Sequence, residues 1–347
     1  MNIQKEIVSR QQSFDYLKLF AIFLVIWGHC IQQMIVSNAE EDMMFRIIYS
    51  FHMPLFMMIS GYFSVSSLKM SINSFLVKKF RQLLYPIIIW GFLLWLYYEI
   101  PNSFHYHAKE CTLYGVLVDF YWMADFWFLK SCFICYCLVF FCNRLGIRHP
   151  YWVIVTLLIS QIISPFYVSF MFPCFVLGME LRLHPFFFKK MVSNYWVLLI
   201  CFIILLCFWD VEVWNWSHGI PAGLLNADFS VWCNVISCRI YRLVIGIVGA
   251  LAFIASFTKL FNNKEKGKCF FVEWGRYTLE IYILQSVILE RLLGKSGVLR
   301  LCNINEYLLD WVISPCCALL LLVICIKLIK MIYKNKFLGT ILFAKKI

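Results

Sequence analysis

Long apolar stretches recur along the whole chain and constrain its fold more than any other feature. We identify ten of them, at residues 17–36, 44–65, 84–100, 126–142, 151–164, 166–181, 195–213, 235–257, 275–293 and 307–326. A helix needs about 20 apolar residues to cross a bilayer. Only 14% of the residues are charged, against about a quarter in soluble domains. The sequence therefore predicts an all-α polytopic membrane protein, with about ten transmembrane helices in a single domain over residues 1–347.

The basic residues between the apolar stretches predict which side each loop faces. Twenty-one lysines and arginines fall in one alternate set of loops, and four fall in the other: Lys109, Arg291, Lys295 and Arg300. Loops rich in Lys and Arg face the cytoplasm, so we expect both termini to be cytoplasmic. The net charge of +12 then reflects contact with membrane lipids, and we expect no nucleic-acid partner.

Two histidines lie inside the first two apolar stretches. His29 belongs to LKLFAIFLVIWGHCIQQMIV, and His52 to FHMPLFMMISGYF. Ionisable side chains are costly in hydrocarbon and mark functional sites there by default, and imidazole exchanges protons near neutral pH. Most of the sixteen cysteines lie in apolar runs and lack the spacing of zinc ligands. We therefore predict proton chemistry at the histidines and expect no metal.

Five segments of the chain are similar to one known family. They are RQQSFDYLKLFAIFLVIWGH, FHMPLFMMISGYF, KKFRQLLYP, WFLKSCF and RYTLEIYILQ. They resemble the motifs of the acyltransferase 3 family of integral-membrane acyltransferases, and most of all its sugar O-acetylase branch, the fucose 4-O-acetylase-like proteins. The last segment ends in Gln285, where that family often has histidine.

The resemblance implies an acyl-CoA donor, by default acetyl-CoA, and a sugar hydroxyl as acceptor. The acceptor would belong to a cell-surface or capsular polysaccharide or to its lipid-linked precursor, and the enzyme to a bacterial inner membrane. His29 would act as the general base, or it would carry the acyl group covalently. Asp15 would orient His29 indirectly or shape the entrance for the donor. The alternative for Asp15 is an ion cluster with Arg10 and Lys18 that sets the depth of the helix.

The remaining polar residues near the spans divide into a donor group and an acceptor group. Lys78 and Arg81, with Arg10, are candidates for the phosphates of coenzyme A, because clustered basic side chains recognise phosphate. His52, next to the helix-kinking Pro54, is a candidate for acceptor binding. Arg239 and Arg242 share a helix face and would hold an anionic acceptor, or pair with Asp310 or Asp228.

Two other functions fit the same sequence pattern. The first is a membrane transporter or flippase for a glycan precursor, in which the histidines relay protons. The second is a glycan polymerase, which would need no thioester donor. Loss of acyl transfer on replacement of His29 would separate the acyltransferase from both.

Overall fold

The computed structural model describes residues 12–35, 38–105, 126–145, 149, 151–162, 165–218, 228–261, 270–294, 297–300 and 305–345. The α-helices in chain order are α1 (Gln12–Met34), α2 (Met43–Ser64), α3 (Ile72–Lys79), α4 (Tyr85–His105), α5 (Trp127–Arg144), α6 (Tyr151–Ile162), α7 (Val168–Leu183), α8 (Pro185–Ser193), α9 (Tyr195–Leu206), α10 (Val211–His218), α11 (Phe229–Phe261), α12 (Phe270–Trp274), α13 (Thr278–Gln285), α14 (Glu306–Leu308), α15 (Ser314–Lys334) and α16 (Lys336–Phe343).

Among the residues that the structure describes, three π-helical segments continue α-helices. They are Phe80–Leu84, Ser286–Gly294 and Leu309–Ile313. Short 3₁₀ turns at Ala39–Glu41, Val65–Ser67 and Pro165–Tyr167 complete the secondary structure. The described residues contain no β-strand, so the predicted all-α class is confirmed for them.

Within the residues that the structure describes, six helical stretches are long and apolar enough to cross a membrane. They are Gln12–Met34, Met43–Ser67, Ile72–Tyr97, Trp127–Arg144, Phe229–Phe261 and Glu306–Lys334. A seventh crossing results if α8 and α9, which meet at a bend of 71°, count as one broken span. The prediction of a polytopic helical membrane protein is thus confirmed, whereas the number of ten spans and the cytoplasmic side of the termini stay predictions.

The chain divides into two compact units. The first comprises Met1–Tyr62 and Leu177–Ile326, and the second comprises Phe63–Val176 and Lys327–Ile347. The single domain over residues 1–347 stays a prediction.

Helix α1 lies at the centre of the first unit. It packs against α11, α12, α13 and the π-helical segment Ser286–Gly294. More than half of its apolar span is buried inside the protein. A membrane helix without neighbours would instead expose all its sides to lipid. A polar side chain on α1 is therefore shielded from lipid by its neighbours, which lowers the cost of placing one at membrane depth.

Glycines on α11 allow α2 to approach closely. A Cβ atom on Gly246 would lie 2.8 Å from Cγ of Pro54 and 3.1 Å from the carbonyl oxygen of Ser50. Proline lacks the N–H that would bond to this carbonyl within the helix. Small residues let membrane helices pack backbone to backbone, so Gly246 fits against the kink that Pro54 makes in α2.

In the second unit, basic residues continue a helix instead of ending it. Ser71 caps α3 by accepting a hydrogen bond from the Ser74 N–H at 3.4 Å. The helix then runs through the segment Phe80–Leu84 into α4, so Lys78 and Arg81 lie on a helix and not in the loop that the sequence analysis placed before residue 84. The apolar pattern misses this extension because Lys and Arg are good helix formers.

Candidate active site

His29 lies in the last third of α1 by residue count and keeps 17% of its side chain accessible. Its neighbour Gly28 makes room for Tyr49 of α2, because a Cβ atom there would lie 2.6 Å from Cε2 of that ring. The centroids of the His29 and Tyr49 rings are 6.4 Å apart. The imidazole is thus held among packed helices but still reaches open space.

Two side-chain oxygens bind one nitrogen of this imidazole. Nδ1 of His29 lies 2.9 Å from Oε1 of Glu290 and 3.0 Å from Oε1 of Gln285. A carboxylate oxygen and an amide oxygen both accept hydrogen bonds, so Nδ1 carries the proton and donates it. In the neutral ring Nε2 then has a free lone pair. The network therefore prepares Nε2 to accept a proton.

The contacts of Gln285 determine which way its amide group points. Its Nε2 donates to the carbonyl oxygen of Tyr282 at 3.2 Å and to Oε1 of Glu290 at 3.4 Å. Both partners are acceptors, so the NH₂ group must face them and the amide oxygen must face His29. Gln285 is fully buried, and it therefore links the imidazole and the carboxylate in one fixed arrangement.

A change of helix type brings Gln285 and Glu290 to the same side. The chain leaves α13 at Gln285 and continues as the π-helical segment Ser286–Gly294. Residues five apart in an α-helix point about 140° away from each other, because each residue turns by about 100°. The i to i+5 bonding of a π-helix brings such residues nearly into line, and π-segments are frequent at functional sites. This geometry lets both side chains face His29.

His52 also contacts Tyr49. Its ring makes an edge-to-face contact with Tyr49 at 4.7 Å between centroids. Its Nδ1 is 2.7 Å from the carbonyl oxygen of Ile48, which can only accept, so Nδ1 of His52 also donates. The structure thus brings the two predicted histidines next to one tyrosine ring, and each has Nδ1 as its protonated nitrogen.

Aromatic side chains cover the same tyrosine from the α10 side. The rings of Phe45 and Tyr49 stack at 4.0 Å, and Trp214 of α10 contacts both of them edge-on at 5.8 and 6.2 Å. Trp209 contacts Trp214 in turn, and its Nε1 donates to the carbonyl oxygen of Arg46. These rings fill the space next to the histidines and fix the position of Tyr49.

The predicted site residue Asp15 lies at the opposite end of α1 from His29. Asp15 is buried and lies 3.8 Å from Nζ of Lys18. Fourteen residues separate Asp15 from His29, which is about 21 Å along a helix. Direct contact is therefore not expected, and the indirect role of Asp15 stays a prediction. Arg10 lies outside the described residues.

Lys78 and Arg81 line one depression in the second unit. It has a volume of about 580 Å³, and its other lining residues are Asn73, Ser74, Val77, Gln82 and Ala344. The next residue, Lys79, is buried instead, and its Nζ lies 3.3 Å from the centre of the Tyr136 ring. Two of the three basic residues are thus available to a ligand, and the third contacts an aromatic face.

The last predicted pair lies on α11. Arg239 is exposed, and Arg242 is half-buried. Their role in acceptor binding stays a prediction. Among the described residues, no group of three or more His, Cys, Asp or Glu side chains has the arrangement of a metal site.

Glu290 is the partner of His29 that the sequence analysis missed, and that analysis also left open the role of Gln285. The sequence signal was present, since a carboxylate and an amide stand five residues apart in an apolar stretch. An α-helical interpretation places the two on different faces. Only the π-helical geometry and the packing against α1 bring them to His29.

Comparison with known proteins places this geometry in a family. Residues 11–330 match the profile of the acyltransferase 3 family, which describes an acyltransferase domain. The nodulation protein NolL of Mesorhizobium japonicum is 31% identical over 185 residues, which are 49% of this chain and 47% of that protein. The nodulation protein NolL of Sinorhizobium fredii is 32% identical over 133 residues, or 36% of each.

The chain spans less than half the length of these two relatives. No solved structure matches. The family match nevertheless covers nearly all of the sequence. It includes four of the five segments that carried the resemblance in full, and the first of them from Gln11 onward. The chain therefore belongs to the acyltransferase 3 family of membrane acyltransferases.

Proposed function

We propose that this protein transfers an acetyl group from acetyl-CoA to a sugar hydroxyl. The acceptor is a cell-surface or capsular polysaccharide or its lipid-linked precursor, and the enzyme lies in a bacterial inner membrane. The observation that carries the proposal is the imidazole of His29, which donates Nδ1–H to Glu290 and Gln285. An accessible histidine held in this way is a general base.

The chemistry follows from the free lone pair on Nε2. As the hydroxyl oxygen of the sugar attacks the thioester carbonyl, Nε2 takes the hydroxyl proton. The new C–O bond forms, the C–S bond of the thioester breaks, and the proton passes to the departing sulfur of coenzyme A. The Glu290 carboxylate stabilises the imidazolium that exists between these steps, in the manner of the acidic member of a catalytic triad.

Basic residues supply recognition of the donor in this proposal. The phosphates of coenzyme A would bind at the depression that Lys78 and Arg81 line, with Arg10 as a further contact. Arg can bind a phosphate through two parallel hydrogen bonds. The open form of the depression suits a long ligand that leaves part of itself in water.

Recognition of the acceptor would come from three other residues. His52 and His29 both lie next to the ring of Tyr49. A sugar that places one hydroxyl at the His29 imidazole would therefore lie near the His52 imidazole as well. The arginines Arg239 and Arg242 suit the pyrophosphate of a lipid-linked sugar, since guanidinium groups bind phosphate well.

The test uses membranes that contain the protein, acetyl-CoA labelled in its acetyl group, and the glycan fraction of the host. We expect label in the glycan with the wild type and none with His29→Ala. We expect His149→Ala to behave as wild type, because that ring is exposed and packs edge-on against Trp152. Undiminished transfer by His29→Ala would contradict the role of His29 as the general base.

The same preparation separates the two alternatives that remain. Label that stays on the protein after acid quenching, and only when His29 is present, would indicate a covalent acyl-histidine instead of direct transfer. Movement of a glycan precursor that depends on a proton gradient and not on acetyl-CoA would favour a transporter and refute the acyltransferase.

A further inference from the structure

An apolar groove lies in the first unit where α7 ends and α8 begins. Its volume is about 550 Å³, and six of its eight lining residues are apolar. They are Leu177, Leu181, Leu183, Pro185, Phe186 and Phe187. The two polar lining residues satisfy each other, because Nε2 of His184 lies 3.3 Å from Oε2 of Glu180. The groove therefore offers an apolar occupant a wall without unsatisfied polar groups.

Helix α8 projects away from the helix that follows it. The axes of α8 and α9 differ in direction by 71°, and α9 consists only of apolar and aromatic residues. If α9 runs through the bilayer, a helix at such an angle lies close to the membrane plane. Helix α8 is therefore oriented as interfacial helices are.

The side chains of α8 divide between the protein and its surroundings. Met191 is buried, and Phe188 contacts Tyr62 at 5.7 Å between ring centroids. Phe186 and Phe187 are 82% and 57% exposed. Lys189 and Lys190 are exposed as well. Each lysine stands three or four residues after a groove phenylalanine, which places it one turn further along the helix surface.

This combination of exposed side chains fits the interfacial region of a membrane. Two exposed phenylalanines are unfavourable in water because their apolar surface stays hydrated, and two exposed lysines are unfavourable in hydrocarbon. At the boundary between acyl chains and headgroups both pairs are satisfied, since lysines extend their ammonium groups toward the phosphates. The positive charge complements an anionic headgroup more than a zwitterionic one.

We infer that the groove between α7 and α8, together with the lysines of α8, is a binding site for an anionic phospholipid. One acyl chain occupies the groove between α7 and α8, and the headgroup phosphate contacts Lys189 and Lys190. The bound lipid supports the inner packing of the unit through one chain of rings, since Phe188 contacts Tyr62 and Tyr62 stacks on Phe14 of α1 at 4.6 Å. The inference does not depend on the proposed reaction.

The test is native mass spectrometry of the full chain in detergent, titrated with phosphatidylglycerol or phosphatidylcholine of the same acyl chains. We expect the wild type to retain phosphatidylglycerol more tightly. The double variant Lys189→Gln/Lys190→Gln should lose about thirty-fold in affinity for phosphatidylglycerol, given the contribution of each lysine near an anionic surface, and should bind phosphatidylcholine as the wild type does.

A matched control removes the same charge elsewhere. Lys334 and Lys336 are also exposed lysines, and Lys334→Gln/Lys336→Gln should leave the affinity for phosphatidylglycerol unchanged. Equal losses in the two double variants, or no loss in the first, would overturn the inference. Each variant is compared by its thermal unfolding, so that a misfolded protein is recognised.

A second experiment locates the acyl chain directly. Phosphatidylglycerol with a photoreactive acyl chain should label the peptide that contains residues 177–187, and Phe187→Ser should reduce this label while Phe337→Ser, at another exposed phenylalanine, does not. Label only elsewhere would exclude the groove. A dimer in light scattering that Phe187→Ser dissociates would show that a second copy of the chain covers this face instead.

Discussion

Replacing Glu290 by glutamine tests the central element of the proposed mechanism. The amide is nearly the same size and can still accept the hydrogen bond from Nδ1 of His29, which is 2.9 Å long in the wild type. The change removes only the negative charge. Any loss of activity therefore reports on stabilisation of the imidazolium and not on the position of the ring.

The structure gives the expected size of this loss. Two opposite unit charges about 4 Å apart interact by about 4 kcal/mol at an effective dielectric constant of about 20. Glu290 keeps 30% of its side chain accessible, so solvent screens the pair and we take about half of this value. A difference of about 2 kcal/mol in the barrier lowers kcat about thirty-fold.

The assay is the initial rate of labelled acetyl transfer at saturating donor and acceptor, divided by the amount of inserted protein. We expect Glu290→Gln to lower kcat and to leave the KM values unchanged, because the charge acts mainly in the transition state. Glu290→Asp should recover part of the rate. Glu306→Gln, at an exposed glutamate, serves as the control. A Glu290→Gln enzyme with the wild-type kcat would refute the proposal that the charge of Glu290 stabilises the imidazolium of His29.

Three further substitutions test the surroundings of the site. Gly28→Ala places a Cβ atom 2.6 Å from the Tyr49 ring, and the displaced ring should lower the transfer rate several-fold, at a stability cost of about 1–3 kcal/mol in thermal unfolding. Gly275→Ala brings its Cβ onto the Asp15 carbonyl oxygen; because this neighbour is backbone, we expect about 3 kcal/mol lower stability and poor insertion. Arg81→Gln should raise the KM for acetyl-CoA at least tenfold with kcat unchanged, as expected on loss of a hydrogen bond to a charged group.

Each of these results has a matched comparison. Gly297→Ala, where nothing lies within 4 Å of the added Cβ, should cost only the strain of its positive φ, about 1 kcal/mol. Lys69→Gln removes an exposed charge and should leave the KM for acetyl-CoA unchanged. A Gly28→Ala enzyme with the wild-type rate would show that the position of Tyr49 is unimportant, and an unchanged KM in Arg81→Gln would separate the depression from donor binding.

The sequence predicted the elements of the fold more reliably than their ends. The apolar stretch at 17–36 corresponds to the helix Gln12–Met34, and the stretch at 235–257 lies within the 33 residues of Phe229–Phe261. Hydrophobicity locates the part of a helix that meets lipid or core. It carries no information on polar turns that continue the same helix, so the first helix begins five residues before its apolar window and the second extends beyond its window at both ends.

The candidate site was predictable in part for the same reason. A histidine within an apolar helix is rare enough to be identified without a structure, and His29 was identified in this way. Its partner Glu290 is 261 positions away in the chain. The contact between them depends on how α13 continues and on which face it turns to α1, and neither property follows from local periodicity.

The π-helical segment Ser286–Gly294 also has a consequence for how mutations in this gene would be distributed in a screen. Deletion of one codon between Gln285 and Glu290 would let the segment return to α-helical bonding. The carboxylate would then stand four residues after Gln285, about 40° away around the helix axis, and would still face the imidazole. A deletion scan would therefore find this segment unusually tolerant of losing one residue, whereas a deletion within the regular helix α1 would turn every later side chain of that helix by about 100°.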